Sequence, residues 1–337
     1  MTGRERILTL LKGGAPDHLG LMPITMMFAA GRIGAKYGRY ALDNRVLVEA
    51  QLRTAEEYGF DHVSAITETR EAPDCGAPLR FFDDQPYALS EEQSLLADKT
   101  VFARLPLPDP RSATHMLDRL LAIEQLRNRA GADLIVEGWV EGPCGAAADL
   151  RGINRLMLDF HDDPAFIRDL FEFVLELAIA FGQAQVEAGA DLIGIGDPAA
   201  SLVGPRLYDE FVWPFQKRLV ESLHAAGAFV RLHICGKTRR CLAQMGRLGC
   251  DIVDIDSMVS LADARTAMGP DQILLGGIDP VRVLLEGSPE DVAQAVEACH
   301  RQAGPRYIVG GGCEIPSLTP HANILALAAY AQKPNGS

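Results

Sequence analysis

Short apolar runs alternate along the whole chain with longer stretches in which apolar residues recur every three or four positions. The short runs are Leu19–Pro23, His62–Ile66, Leu134–Trp139, Leu192–Ile195, Phe229–His233, Ile252–Ile255, Ile273–Leu275 and Tyr307–Val309. Consecutive apolar positions of this kind are expected of strands covered on both faces, as in a parallel sheet. Between them the period changes. After Asp163-Pro164, apolar side chains fall at Phe166, Ile167, Leu170, Phe171, Val174, Leu177, Ala178 and Phe181. That spacing predicts a helix capped by Asp163, with Pro164 in its first turn. Ser288-Pro289-Glu290-Asp291 and Thr319-Pro320 predict two more helix starts.

Four successive runs share one phrase: AGADLIGIGD, AGAFVRLHICG, LGCDIVDID and GPDQILLGGID. A glycine closes each preceding helix, a strand follows, and polar residues gather just past its end. Eight such β-α units predict an α/β fold, a single-domain (β/α)8 TIM barrel spanning 1–337. A doubly wound open sheet is the alternative. It is disfavoured because no G-x-G-x-x-G follows the first strand and no G-x-x-x-x-G-K-[ST] occurs. Residues 72–110 lack either period and read as an irregular or short antiparallel elaboration at one end of the barrel.

The chain has 337 residues, with 32 Lys and Arg against 45 Asp and Glu, a formal charge of −13. Such a charge repels phosphate backbones, so no nucleic-acid partner is expected. No apolar run approaches the roughly 18 residues of a membrane span, and MTGRERILTLLKGG lacks the core and cleavage site of an export signal. Seven irregularly spaced cysteines do not make a disulfide framework, which points to a reducing, cytoplasmic setting. Monomer and homodimer both stay open.

In a barrel, chemistry collects at the C-terminal ends of the strands. Those positions hold Glu137, Glu141, Asp197, His233, Cys235, Asp254, Asp256, Asp279, Cys313 and Glu314. On an extended backbone residues i and i+2 share a side, so His233 and Cys235 can reach one ion. Cys313 follows Gly310-Gly311-Gly312, glycines that permit a tight turn. One imidazole and two thiolates suit zinc and leave a fourth position open. With eight His and seven Cys, chance alone yields about 0.17 H-x-C pairs, so the pair is informative only with its position. A structural His beside a buried thiol is the plain alternative. Cys241, Cys250 and Cys299 read as buried; Cys75 and Cys144 sit in loops within possible reach. Asp197, Asp256 and Asp279 each follow a strand, where a loop cap competes with substrate contact. Glu137 and Glu141 bracket Trp139 as a candidate ligand or an acidic loop. Lys237, just past Cys235, is either a pocket cation for an anionic substrate or a solvated side chain.

The phrases GIGDPAASLVGPRLYDEFVWPFQKRLVESLH, RLHICGKTRR, DIVDIDSM, LLGGIDPVRVLLEGSPEDV and GGGCEIPSLTPHANI resemble the uroporphyrinogen decarboxylase superfamily. Within it the chain looks like the cobalamin-dependent branch, which includes the methylcobamide:coenzyme M methyltransferases. The resemblance implies a (β/α)8 barrel, zinc bound through His233, Cys235 and Cys313, and a methyl group moved between a corrinoid and a small donor or acceptor. It also implies a corrinoid-binding protein as partner. True decarboxylases carry an arginine-rich phrase near the first strand, whereas no basic residue lies between Leu19 and Ala30 here. Metal-free decarboxylation is therefore the runner-up. The sequence departs from family wording at Lys237 and at Gly276-Gly277-Ile278-Asp279, expected to face the pocket, so the acceptor need not be coenzyme M. Substrate contact is expected of Glu137, Glu141, Asp197, Lys237, Asp256, Asp279 and Glu314.

Overall fold

The computed structural model describes residues 1–68 and 71–334. Eight parallel strands form one sheet: Gly20–Leu21 (β1), His62–Ser64 (β2), Ile135–Glu141 (β3), Leu192–Gly196 (β4), Phe229–Ile234 (β5), Ile252–Ile255 (β6), Ile273–Gly276 (β7) and Tyr307–Val309 (β8). Their order is β1-β8-β7-β6-β5-β4-β3-β2, so the last strand pairs with the first and the sheet curls into a (β/α)8 barrel. Each expected apolar run overlaps one of these strands, and four strands run one or two residues past the expected end. Helices return the chain between them. In the helix Pro164–Glu187 the Asp163 carboxylate accepts from the Phe166 amide, and Ser288 and Asp291 form a reciprocal capping box before Pro289–Ala303. The third start is displaced. Thr319 caps nothing, and Pro320 precedes the helix His321–Ala331.

Period two along the strands stacks the barrel interior in layers. At the N-terminal end, Met22, Ile135, Leu192, Ile252, Ile273, Leu275 and Ile308 form an apolar plug closed by Ile7 and Leu10 of the helix Gly3–Leu11. Two residues further along their strands, Glu137 and Arg231 are buried and paired, as is Asp254 beyond Ile252. Trp139 follows above them. Its indole fits only because β4 opposes it with glycines: a Cβ at Gly194 would lie 1.9 Å from Trp139 Cε3. The barrel thus changes from apolar to ionic to metal-binding residue types toward its C-terminal mouth.

Between β2 and β3 the chain forms a short helix Glu71–Asp74, an antiparallel pair Leu79–Arg80 and Ala88–Leu89, and a 3-10 turn Lys99–Arg104. Tyr87, Leu89, Ser90 and Glu91 of this excursion line a cavity at the C-terminal mouth. Among the described residues no helix is long and apolar enough to cross a membrane. All seven cysteines are free.

Candidate metal centre

Strand β5 ends at Ile234, so His233 and Cys235 project from its C-terminal end as expected of residues two apart. His233 Nε2 lies 3.1 Å from Cys235 Sγ, and Cys235 Sγ lies 3.9 Å from Cys313 Sγ. All three donor atoms fall within 4.8 Å of one another, the only such His/Cys/Asp/Glu group among the described residues. Ligands about 2.0–2.3 Å from a tetrahedral zinc sit roughly 3.3–3.8 Å apart, so the set fits that ion with little movement. Cys313 reaches the group from the loop after β8. The three glycines before it act differently from expectation: none has positive φ. They allow close approach instead, since a Cβ on Gly312 would lie 2.4 Å from the Ser257 amide nitrogen. Gly236 does need its left-handed φ of +91° to turn the chain after Cys235.

A hydrogen bond from the Cys235 thiol, with His233 alongside, holds the Cys313 thiol below its ordinary range despite its burial. Cys235 is pushed up by the same contact. Burial opposes charge on His233, but the Asp254 carboxylate and Cys313 outweigh it and raise the imidazole to about 10. Its Nδ1 lies 3.4 Å from Asp254 Oδ2.

Two cavities meet at Cys235. The inner one, about 300 Å³, is walled by Ile24, Met26, Ile66 and Trp139, with Glu141 and Glu314 on its rim beside His233, Cys235 and Cys313. The outer one, about 730 Å³, is lined mainly by apolar groups including Leu89, Ala148, Ile153, Leu202 and Met258, and contains Asp256. Glu314 accepts a 2.8 Å hydrogen bond from the Met27 amide, and burial pushes its carboxyl up to about 8. Asp256 accepts from the Gly236 and Met258 amides at 2.7 and 2.8 Å, bracing the loop that carries Cys235.

The remaining candidates stand elsewhere. Asp197 is fully buried and committed to the Gln216 amide and the Gly145 amide, each at 2.7 Å, capping the helix Pro143–Arg151. Asp279 caps the turn Pro280–Leu285 through the Val281 and Arg282 amides. Glu137 lies below the mouth, 3.1 Å from Arg231. Lys237 is exposed and lines neither cavity, as do none of Gly276, Gly277 and Asp279. Cys144, expected in a loop, is fully buried in the first turn of a helix. Arg231, Ile24 and Met26 went unnoticed in the sequence. Arg231 was detectable, since stepping back by two from His233 puts a cation inside the barrel, where it demands carboxylate partners.

The model of the uroporphyrinogen decarboxylase (URO-D) family matches residues 2–334. A methylcobamide:CoM methyltransferase of Methanosarcina mazei is 30% identical over 98% of both chains. A uroporphyrinogen decarboxylase of Synechocystis sp. is 28% identical over 64% of this chain and 63% of its own. In structure, a methyltransferase from Methanosarcina mazei superposes with a TM-score of 0.85 over 98% of both chains at 21% identity, a likeness of fold. Matched by the family's model almost from end to end, and by a methyltransferase along its whole length, this chain belongs to the uroporphyrinogen decarboxylase family as one of its methyl-transferring enzymes.

Proposed function

We propose that the protein holds one zinc ion through His233, Cys235 and Cys313 and moves a methyl group between a corrinoid and a small molecule. The observation that carries this reading is the convergence of the three donors within 4.8 Å at the mouth of the barrel, facing cavities rather than core. Zinc bound there would supply Lewis acidity, keeping an incoming thiol deprotonated at neutral pH where the free group, near 8.5, is mostly protonated.

The chain's own residues supply the setting. Ile24, Met26, Ile66 and Trp139 wall the inner cavity and keep water from the reacting sulfur, which strengthens every electrostatic interaction there. Its volume of about 300 Å³ suits a small donor or acceptor. Glu314, protonated near neutrality by burial, offers a hydrogen-bond donor to that molecule, and Glu141 an acceptor on the same rim. Asp256 keeps the Cys235 loop in place. The larger outer cavity reaches the same sulfur from the solvent side, the side a corrinoid carried by a partner protein would approach. Leu202 and Met258 at its border are 63% and 65% exposed, apolar groups suited to a protein surface. The relatives named for methylcobamide substrates support the corrinoid. Free thiols throughout suit a reducing cytoplasm. Either direction of transfer satisfies this arrangement.

The test is demethylation of free methylcobalamin by the zinc-loaded chain with a panel of small thiols, followed by the absorbance change of the corrinoid. Zinc-dependent turnover is expected with at least one thiol. A four-carboxylate product from uroporphyrinogen at enzymatic rates, without methyl transfer, would overturn the reading in favour of decarboxylation.

A further inference from the structure

Beneath the metal-binding residues lies a buried ionic chain that the methyl-transfer chemistry does not touch. Arg231 is wholly buried between two carboxylates. Its Nη1 lies 3.1 Å from Glu137 Oε1, and its Nη2 and Nε lie 2.5 and 3.2 Å from Asp254 Oδ2. The guanidinium carbon lies 5.6 Å from the Trp139 ring centroid, so the fork is held on a face as well as at its ends. On the far side His62 Nε2 is 3.7 Å from Glu137, and burial pushes that imidazole down to about 3, leaving it neutral. Two carboxylates therefore face one guanidinium.

Three atoms in this group are buried without a hydrogen bond, His62 Nδ1 at the far end and His233 Nδ1 and Asp254 Oδ1 beside the metal-binding residues. His233 and Asp254 touch only through the 3.4 Å approach of Nδ1 to Asp254 Oδ2. Asp254 cannot turn away, since Arg231 grips one oxygen while the other lies against Gly276, where a Cβ would come within 2.6 Å of it. His233 meanwhile presents Nε2, not Nδ1, to Cys235 Sγ at 3.1 Å. A ring that gives Nε2 to a metal must carry its proton on Nδ1, and a small tilt brings that proton onto the waiting carboxylate.

We propose that Asp254, clamped by Arg231, is the positioning residue that fixes the His233 ring with Nδ1–H toward its carboxylate and Nε2 toward the metal. This rests on the zinc reading above and adds to it the group that sets the tautomer. Fixing the ring also raises the basicity of Nε2, so the clamp strengthens metal binding from a distance.

The experiment compares the full-length wild type with Asp254→Asn and Glu137→Gln, stripped of metal and reloaded. Zinc affinity is read by competition with a chromophoric chelator, and the state of His233 by 15N chemical shifts of histidine-labelled, zinc-loaded protein. The wild type is expected to show a metal-bound Nε2 and a protonated Nδ1. Asp254→Asn is expected to bind zinc about 10- to 100-fold more weakly. Glu137→Gln, which removes a charge from the same chain one step further from His233, is expected to lower thermal stability with no comparable loss of affinity. Equal losses in both variants would make the effect a general loosening and overturn the proposal, as would affinity in Asp254→Asn within twofold of wild type. If Asp254→Asn does not fold, the wild-type shifts decide, and metal on Nδ1 overturns the proposal. Zinc bound by the wild type with unchanged Asp254→Asn affinity sinks this inference alone. A wild type that takes up no zinc sinks the proposed function with it.

Discussion

Asp61 bonds to Leu21 twice. Its amide donates to the Leu21 carbonyl at 3.0 Å, and its carboxylate accepts from the Leu21 amide at 2.7 Å. This closes the seam between β1 and β2, the two ends of the strand order. A side chain thus replaces part of a ladder where β1 is only two residues long. The second Asp61 oxygen accepts from Arg6 at 2.5 Å, tying the closing helix Gly3–Leu11 to the same point.

Asp61→Ala is expected to cost about 2 kcal/mol, because it strands the buried Leu21 amide and leaves Arg6 with Asp17 as its one remaining carboxylate. Chemical denaturation gives the number. A loss under 1 kcal/mol would mean that the seam closes without this side chain.

Cys235→Ala and Cys313→Ala are each expected to abolish stoichiometric zinc while leaving the far-ultraviolet circular dichroism of the barrel intact. Both thiols lie at the mouth, away from the apolar plug around Ile135 and Leu192. Elemental analysis of the purified proteins checks this, and a wild type free of zinc would refute it. Cys299→Ala, remote from both cavities, serves as the control that retains the metal.

The barrel was readable because strands buried on both faces leave unbroken apolar runs, and each of the eight runs became a strand. The closeness of His233 and Cys235 was readable because period two puts the two residues on one side whatever the loops do. Which carboxylates reach the cavities was not. Asp197 and Asp279 both follow a strand and precede a proline, and nothing local tells a cap from a wall of a pocket; only the partners, the Gly145 and Val281 amides, decide. Glu137 and Glu141 share an inward face, but depth separates them, one clamping Arg231 and the other reaching the cavity. Depth depends on how far strands are staggered around the barrel, which no single strand records. Lys237 follows the same rule in reverse: two residues beyond Cys235, the chain has left the strand and the period no longer applies.

Gly194→Ala tests the packing above the ionic layer. The new methyl group would sit 1.9 Å from Trp139 Cε3, so the indole, which lines the inner cavity, has to shift. Overpacking of this kind costs about 1–3 kcal/mol. A raised KM for the small substrate with zinc content unchanged is expected alongside that loss. Wild-type kinetics together with wild-type stability would show that the Trp139 ring has free space.

Asp197 makes the stability of the protein depend on pH in an unusual direction. Its carboxylate is fully buried, and burial pushes it up to about 6, only partly offset by hydrogen bonds from Gln216 and the Gly145 and Cys144 amides. In the unfolded chain the group titrates near 3.9. The folded state therefore holds the proton more tightly between those two values. Its contribution is fully present below about pH 4, is lost as pH rises through about 6, and is flat above that. The difference of about two units corresponds to roughly 3 kcal/mol as an upper bound. Asp197→Asn lacks the titration while keeping the shape, so the stability of wild type relative to this variant is expected to shrink between pH 4 and pH 7. Denaturant melts of both proteins across that range measure the gap, and a gap that stays constant or widens would show that the folded carboxylate is charged throughout.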